Sequence, residues 1–155
     1  MDHSPAPSAP PVEYDAAALA VVKRFLDGEA ATLPLGNQPL EPTLDGDTKV
    51  FEVTIDKVEH WIDALKDPIV ALGYNGTWPG PRLTVVEGDK ARAIFTNNLD
   101  ETTGVEFHRQ RLPNAMNGVP HVTQEPIKPG ESFTYEFVAR TSGSHMYSCV
   151  IPSTT

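Results

Sequence analysis

Alternation of hydrophobic and polar residues predicts short β-strands over most of the chain after residue 48. In KVFEVTID, the side chains of Phe51, Val53 and Ile55 alternate with other residues and fall on one face of a strand. Similar runs follow in RLTVV, KARAIFTN, GVEFH and ESFTYEFVA, and the turn signals NGTWPGP, EGDK, NNLDE and KPGE lie between them. Short strands separated by turns predict an all-β fold, either an antiparallel sandwich or a barrel.

The same pattern identifies the side chains that should face the core. These lie at alternate positions of the predicted strands: Phe51, Val53, Ile55, Leu83, Val85, Ala93, Phe95, Phe133, Tyr135 and Phe137. One segment, VEHWIDALKD, is ambiguous, because it fits a short helix and also a strand that continues through His60 and Trp61.

Residues 1–47 follow a different pattern, and we interpret them as an arm that carries one helix. Residues 1–12 are rich in Pro, Ser and Ala, which predicts an extended arm. The apolar residues of YDAAALAVVKRFLDGEA recur at helical spacing: Leu19, Val22, Phe25 and Leu26. They predict an amphipathic helix over about 15–27, with Asp15 as its N-cap and Gly28 at its end. The Pro- and Gly-containing stretch ATLPLGNQPLEPTLDGD predicts a loop packed along a surface.

Composition and charge exclude several classes of partner. The chain has 12 basic and 21 acidic residues and a net charge of -9, so nucleic acid and anionic membranes would repel it. Its apolar runs are all shorter than the roughly 20 residues that span a bilayer. MDHSPAPSAPP has neither the basic start nor the apolar region of an export signal. We therefore expect no nucleic-acid partner and no membrane partner, and the single cysteine allows no internal disulfide.

Two long blocks of the sequence closely resemble the first cupredoxin domain of multicopper oxidases and of the related copper nitrite reductases. They are GYNGTWPGPRLTVVEGDKARAIFTNNL and GVEFHRQRLPNAMNGVPHVTQEPIKPGESFTYEFVARTSGSHMY, within a match over roughly residues 48–149. The resemblance implies a Greek-key cupredoxin-like β-sandwich over residues 48–155. It also implies copper as a cofactor, a periplasmic or secreted location, and two metal-binding stretches, VEFHRQ and MYSCV, on neighbouring strands.

The chain departs from the multicopper oxidase pattern at both metal stretches. That family typically has His-x-His-Gly where this chain has Glu106, Phe107, His108 and Arg109. It usually has His-x-His where this chain has the run Ser148-Cys149-Val150. His108 is the one imidazole that remains. Because a trinuclear copper cluster takes imidazoles from two domains, we expect that this chain cannot supply its share.

The nitrite reductase pattern is somewhat closer and suggests the candidate ligands. That branch has an acidic residue two positions before a copper-binding His, which Glu106 and His108 resemble. It also has a His-Cys pair on the second strand, which Ser148 and Cys149 preserve in half. A matching His on the first strand would fall at Thr103, and the remaining ligands would lie beyond the end of the chain. The candidate copper ligands are therefore His108, Glu106 and Cys149.

Strand geometry limits which of these candidates can meet. Glu106 and His108 are two residues apart, so their side chains leave the same face of one strand. By analogy with the family, Ser148 points with His108 toward a neighbouring subunit or domain, whereas Cys149 points inward. Each candidate also has a simpler interpretation: a hydrogen-bonded surface histidine, a solvated carboxylate and a small buried thiol.

Three functions stay open from the sequence. The first is a cupredoxin domain of a copper-dependent oxidoreductase that is inactive alone. The second is a mononuclear copper-binding module using His108 with Glu106 or Cys149. The third is a metal-free interaction or assembly domain. The resemblance implies a second cupredoxin domain or identical subunits as partners, and we expect a homo-oligomer.

The end of the chain raises a structural question of its own. Cupredoxins close their sandwich with a strand after the metal loop, and in this sequence VIPSTT is followed by no further residues. We therefore expect a domain without its final strand, with unpaired backbone that invites pairing. The N-terminal arm fills the gap, a neighbouring chain fills it, or the chain is part of a longer oxidase.

Overall fold

The computed structural model describes residues 11–151, with the side chains of residues 15–151. Contacts divide this part of the chain into two units. One unit holds the residues up to Leu33 together with Trp61–Pro68, and the other holds Pro34–His60 and the residues from Ile69 onward. The arm predicted for residues 1–12 lies outside the described residues except for its last two positions.

Helix α1 of the first unit spans Pro11–Leu26. It begins before the expected start because proline suits the first turn of a helix, where its missing N–H has no partner to lose. Asp15, which we expected to cap the helix, lies inside it, and that expectation is wrong. Gly28 ends the helix as predicted: it has a positive φ of 78° and donates to the Phe25 carbonyl oxygen, while Glu29 N–H donates to that of Arg24. No helix within residues 11–151 is long and apolar enough to cross a bilayer.

Residues 61–68 form turns, so the helical interpretation of VEHWIDALKD is wrong. The preceding strand runs as far as His60, and Trp61 lies outside it. The turn is held by the Leu65 N–H, which donates to Asp63 Oδ1 at 3.0 Å, and by Ala31 N–H, which donates to the Ala64 carbonyl oxygen at 2.8 Å. Short-range hydrogen bonds of this kind compete with helix formation at Asp positions.

Strands make up most of the second unit. They are β1 Pro39–Leu40, β2 Thr43–Asp45, β3 Thr48–His60, β4 Ile69–Tyr74, β5 Arg82–Leu83, β6 Lys90–Asn97, β7 Gly104–Phe107, β8 Ser132–Val138 and β9 Tyr147–Val150. The larger sheet has the order β2–β3–β6–β8, with β4 also paired to β3. Two smaller sheets pair β7 with β9 and β1 with β5.

The predicted all-β class is confirmed, because the unit is built of strands. Two details of the prediction are wrong. The pairing is mixed, because β3 runs parallel to β6, with Thr48 opposite Lys90. The supposed loop before residue 48 contains β1 and β2, which are too short to show a period of two.

The core lies on the alternating faces that the sequence pattern predicted. Among the predicted inward residues, the fully buried ones are Phe51, Val53, Ile55, Ala93, Phe95 and Tyr135. Leu83, Val85, Phe133 and Phe137 are half-buried. Phe95 sits at the centre of an aromatic cluster and meets the ring of Tyr135 edge to face, with 5.8 Å between ring centroids.

One buried hydrogen bond connects the core to the strand that carries the candidate ligands. The Val105 N–H of β7 donates to Tyr135 Oη of β8 at 2.9 Å. Val105 and Tyr135 are both 0% exposed, so no water can replace either partner. This bond joins β7 to the larger sheet. It therefore fixes the position of β7, and with it the position of residues 106–108, relative to that sheet.

Candidate functional site on strands β7 and β9

The register of β7 and β9 decides which side chains share a face. The strands are antiparallel, and Glu106 lies opposite Ser148 while Gly104 lies opposite Val150. Beyond the last strand pair, the His108 N–H donates to the Met146 carbonyl oxygen at 2.8 Å. Alternation therefore places five side chains on one side, which we name the His108 face: Glu106, His108, Met146, Ser148 and Val150.

His108 is held by two neighbours on this face. Its Nε2 atom forms a hydrogen bond with Ser148 Oγ at 2.8 Å. Its Nδ1 atom lies 3.8 Å from Glu106 Oε1, too far for a hydrogen bond but close enough for attraction when the ring is protonated. The side chains of His108 and Glu106 are 35% and 33% exposed, so the group is reachable from solvent.

Cys149 lies on the opposite face of β9 and packs against the hydrophobic core. Its nearest polar neighbour is Tyr74, whose hydroxyl is buried and has no hydrogen-bond partner among the described residues. Burial raises the pKa of Tyr74 well above its usual range, and the adjacent Cys149 raises it further. The structure thus brings Glu106 and His108 together and leaves Cys149 on the other side of the sheet.

These residues do not fit a copper cluster. Copper sites in proteins are built mainly from imidazole nitrogen and thiolate sulfur. The His108 face offers one imidazole, one carboxylate, one hydroxyl, the exposed thioether of Met146 and the aliphatic side chain of Val150. Within residues 15–151, no group of three His, Cys, Asp or Glu side chains is placed to hold one ion. Thr103 is fully buried, and its hydroxyl donates to the carbonyl oxygens of Gly104 and Val150.

Comparison with known proteins identifies the family to which this chain belongs. A family model described as Multicopper oxidase matches residues 54–152, which include β6 to β9 and most of β3. The chain belongs to the multicopper oxidase family. Its strand unit is a cupredoxin domain of the multicopper oxidase type.

Curated relatives of this multicopper oxidase domain include fungal and bacterial proteins. "Laccase-2" of Botryotinia fuckeliana is 29% identical over 168 residues, covering 88% of this chain and 29% of the laccase. An "Iron transport multicopper oxidase" of Candida glabrata is 36% identical over 107 residues, covering 66% of this chain and 16% of that protein. A "Copper resistance protein A homolog" of Pseudomonas syringae pv. tomato is 34% identical, covering 63% and 16%. The chain therefore spans less than a third of the length of each of these relatives.

Solved structures of multicopper oxidases agree with the fold. The multi-copper oxidase from Pseudomonas Thermotolerans is 37% identical with a TM-score of 0.63, and the match covers 66% of this chain and 25% of that one. The blue copper oxidase from Nitrosomonas europaea is 30% identical with a TM-score of 0.63, covering 66% and 32%. The family model is one of multicopper oxidases, whereas the His108 face of this member holds one imidazole.

From the sequence, Ser148 is expected on the same face as His108, but it is not one of the predicted ligands. In the structure, Ser148 provides the shortest polar contact to the His108 side chain. The signal was present in the sequence, because Ser148 occupies a position where the family usually has a histidine. Strand alternation alone did not reveal the hydrogen bond, since the bond also requires the register that sets Ser148 opposite Glu106.

Proposed function

We propose that this cupredoxin domain works as part of a copper-dependent oxidoreductase and that the chain alone has no oxidase turnover. The observation that carries the proposal is the composition of the His108 face, where a multicopper oxidase fold keeps one imidazole. Reduction of dioxygen to water draws on several copper ions, and this face has too few nitrogen donors to hold them. The copper ligands must then come from elsewhere in the assembly.

A second cupredoxin domain would supply those ligands. Identical subunits are the other partner that the resemblance implies, and each of them would add a single imidazole from its own His108 face. The greater length of the relatives supports this proposal, because each of them extends well beyond the matched segment. The partial exposure of the His108 face supports it too, because a partner can approach His108 and Glu106 directly. In such an assembly, His108 and Glu106 are the residues that would meet the partner's copper site, and Cys149 would contribute to packing.

The organisation and location of the protein follow from the same proposal. Residues 48–155 would act as the cupredoxin-like domain, and residues 1–47 would act as an arm with one helix. A periplasmic or secreted location is the one that the resemblance to copper oxidases supports.

Oxygen consumption tests the proposed dependence on a partner. The purified chain is loaded with Cu(II) and supplied with a phenolic or a diamine substrate, with His108→Ala and copper-only samples as controls. We expect the same low rate in all three samples, and light scattering of the chain should detect an assembly larger than one chain. Copper-dependent oxidation by the chain well above both controls would contradict the proposal, as would a strictly monomeric chain that turns over substrate.

A further inference from the structure

We infer that Ser148 takes the place of a metal ligand as the partner of His108, so that the His108 and Ser148 side chains form a metal-free cross-link between the end of β7 and β9. This inference concerns what the His108 face does within this chain. It goes beyond the proposed oxidoreductase function, which would hold whether or not the cross-link exists.

One imidazole nitrogen of His108 is already hydrogen-bonded within the chain. A histidine binds a metal through the lone pair of one ring nitrogen, while the other nitrogen is usually held by a protein oxygen. In this chain Nε2 is hydrogen-bonded to Ser148 Oγ at 2.8 Å, and Nδ1 lies 3.8 Å from Glu106 Oε1 without a hydrogen bond. A metal ion at Nε2 would have to displace the Ser148 hydroxyl, and an ion at Nδ1 would have the Glu106 carboxylate beside it as a second donor.

An ion that displaced Ser148 from His108 would gain few ligands at this face. Val150 has no donor atom in its side chain, and Cys149 points to the core from the opposite face. An ion at His108 would gain one imidazole and at most the Glu106 carboxylate and the Met146 thioether, a soft ligand that suits Cu(I), and water would fill the remaining positions. Copper affinity rises with the number of nitrogen and sulfur ligands, so hydrogen bonding to Ser148 competes well against such a poor site.

The β7–β9 ladder is short, so a side-chain hydrogen bond between the two strands adds to its stability. The two strands share four residue pairs, and they form a sheet separate from the larger one. Cross-strand side-chain pairs stabilise antiparallel ladders, above all where the ladder is only a few residues long. His108 extends the ladder through its backbone bond to Met146 and then ties back to Ser148 through its ring.

Thermal unfolding of the full chain measures the cross-link. Ser148→Ala should lower Tm by about 2–4 °C, the shift expected when one hydrogen bond is lost from a chain of this size. Ser144→Ala, at an exposed serine in the segment before β9, is the matched control and should leave Tm unchanged. His108→Ala combined with Ser148→Ala should lower Tm no further than the more harmful single change, because both remove the same bond. Additive losses in the double variant would overturn the inference.

Copper titration measures the other half of the inference. Isothermal titration calorimetry and electron paramagnetic resonance with Cu(II) should find no stoichiometric site on the unaltered chain, and its Tm should be the same with Cu(II) or with a chelator. Combining Glu106→His, Ser148→His and Val150→His should produce stoichiometric copper binding and a Tm that rises with Cu(II). One copper per unaltered chain, lost in His108→Ala, would overturn the inference. Such binding without oxygen consumption would leave the proposed function standing.

Discussion

At the scale of single residues, the hydrogen bond between Tyr135 and Val105 is a polar contact shielded from water. Both residues are fully buried, and the Val105 N–H donates to the tyrosine oxygen across the gap between two sheets. Tyr147 makes a comparable bond, because its hydroxyl donates to the Pro81 carbonyl oxygen at 2.7 Å. That second bond differs in one respect, since Tyr147 is only half-buried.

Tyr135→Phe should destabilise the chain more than Tyr147→Phe. In the first variant the Val105 N–H stays buried without an acceptor, which costs about 1–3 kcal/mol. In the second variant a hydrogen bond at a half-buried site is lost, at about 0.5–1.5 kcal/mol, because water can replace it. Urea unfolding of the two variants and the unaltered chain gives both free energies. Equal losses, or a larger loss in Tyr147→Phe, would show that the buried bond contributes no more to the free energy of unfolding than the half-buried one does.

At the scale of elements, strand alternation predicted those elements that bury one face. In β6, and in β3 from Phe51 to Ile55, the buried residues follow each other at every second position, so the apolar pattern is enough to locate both strands. β1 and β2 were missed because strands of two or three residues carry no readable period. The start of α1 was missed because the Pro-, Ser- and Ala-rich residues 1–12 indicated an extended arm and Asp15 is a favourable cap residue.

The candidate site was predictable to the same extent. The shared face of Glu106 and His108 follows from their spacing alone, and the inward direction of Cys149 follows from alternation against its neighbour Ser148. The hydrogen bond between His108 and Ser148 was not predictable, because it depends on the register between two strands that are far apart in sequence.

A close backbone approach fixes β7 against the segment that contains Gly118. Gly118 has a positive φ of 80°, and a Cβ atom there would lie 1.9 Å from the Val105 carbonyl oxygen. Gly130 has a similar φ of 78°, but a Cβ atom there would meet nothing within 4 Å. The two glycines therefore have similar backbone conformations, which would strain any residue with a Cβ atom, and they differ in the space around them.

Gly118→Ala should cost considerably more stability than Gly130→Ala. The left-handed conformation costs a non-glycine residue about 1–2 kcal/mol, and Gly130→Ala should show little more than that. Gly118→Ala adds a collision with a backbone atom that cannot rotate away, so its total cost should exceed about 3 kcal/mol. Chemical denaturation of both variants measures the difference. Similar losses for the two substitutions would mean that the segment at Gly118 moves away from β7 without penalty.

At the scale of the whole molecule, the fold is of the multicopper oxidase type while the His108 face holds one imidazole. The aromatic core around Phe95 and the Tyr135–Val105 bond hold the strands of the cupredoxin domain together. Core positions and face positions alternate along the same strands, so each set can change without moving the other. The fold of this chain is therefore better evidence of its family than of its catalytic capacity.

Because tyrosines are buried in this core, the stability of the chain should depend on pH in the alkaline range. Burial raises the pKa of Tyr74, Tyr135 and Tyr147 above its ordinary value, so the folded chain keeps these hydroxyl groups protonated. In the unfolded chain the same groups ionise near pH 10. Because the folded-state pKa values are the higher ones, their contribution to stability is complete below about pH 10 and is lost as the pH rises further.

Urea unfolding measured between neutral pH and about pH 11 should therefore show a free energy of unfolding that falls above about pH 10. Each buried tyrosine contributes a slope of up to about 1.4 kcal/mol per pH unit, because the unfolded chain releases a proton that the folded chain retains. Tyr135→Phe should reduce this slope, measured relative to the variant's own stability at neutral pH. Tyrosinate absorbance provides an independent reading, since the signal from the buried tyrosines should rise together with the loss of β-sheet circular dichroism. Ionisation of all tyrosines near pH 10 while the β-sheet signal persists would show that the core admits water and that burial does not control these hydroxyl groups.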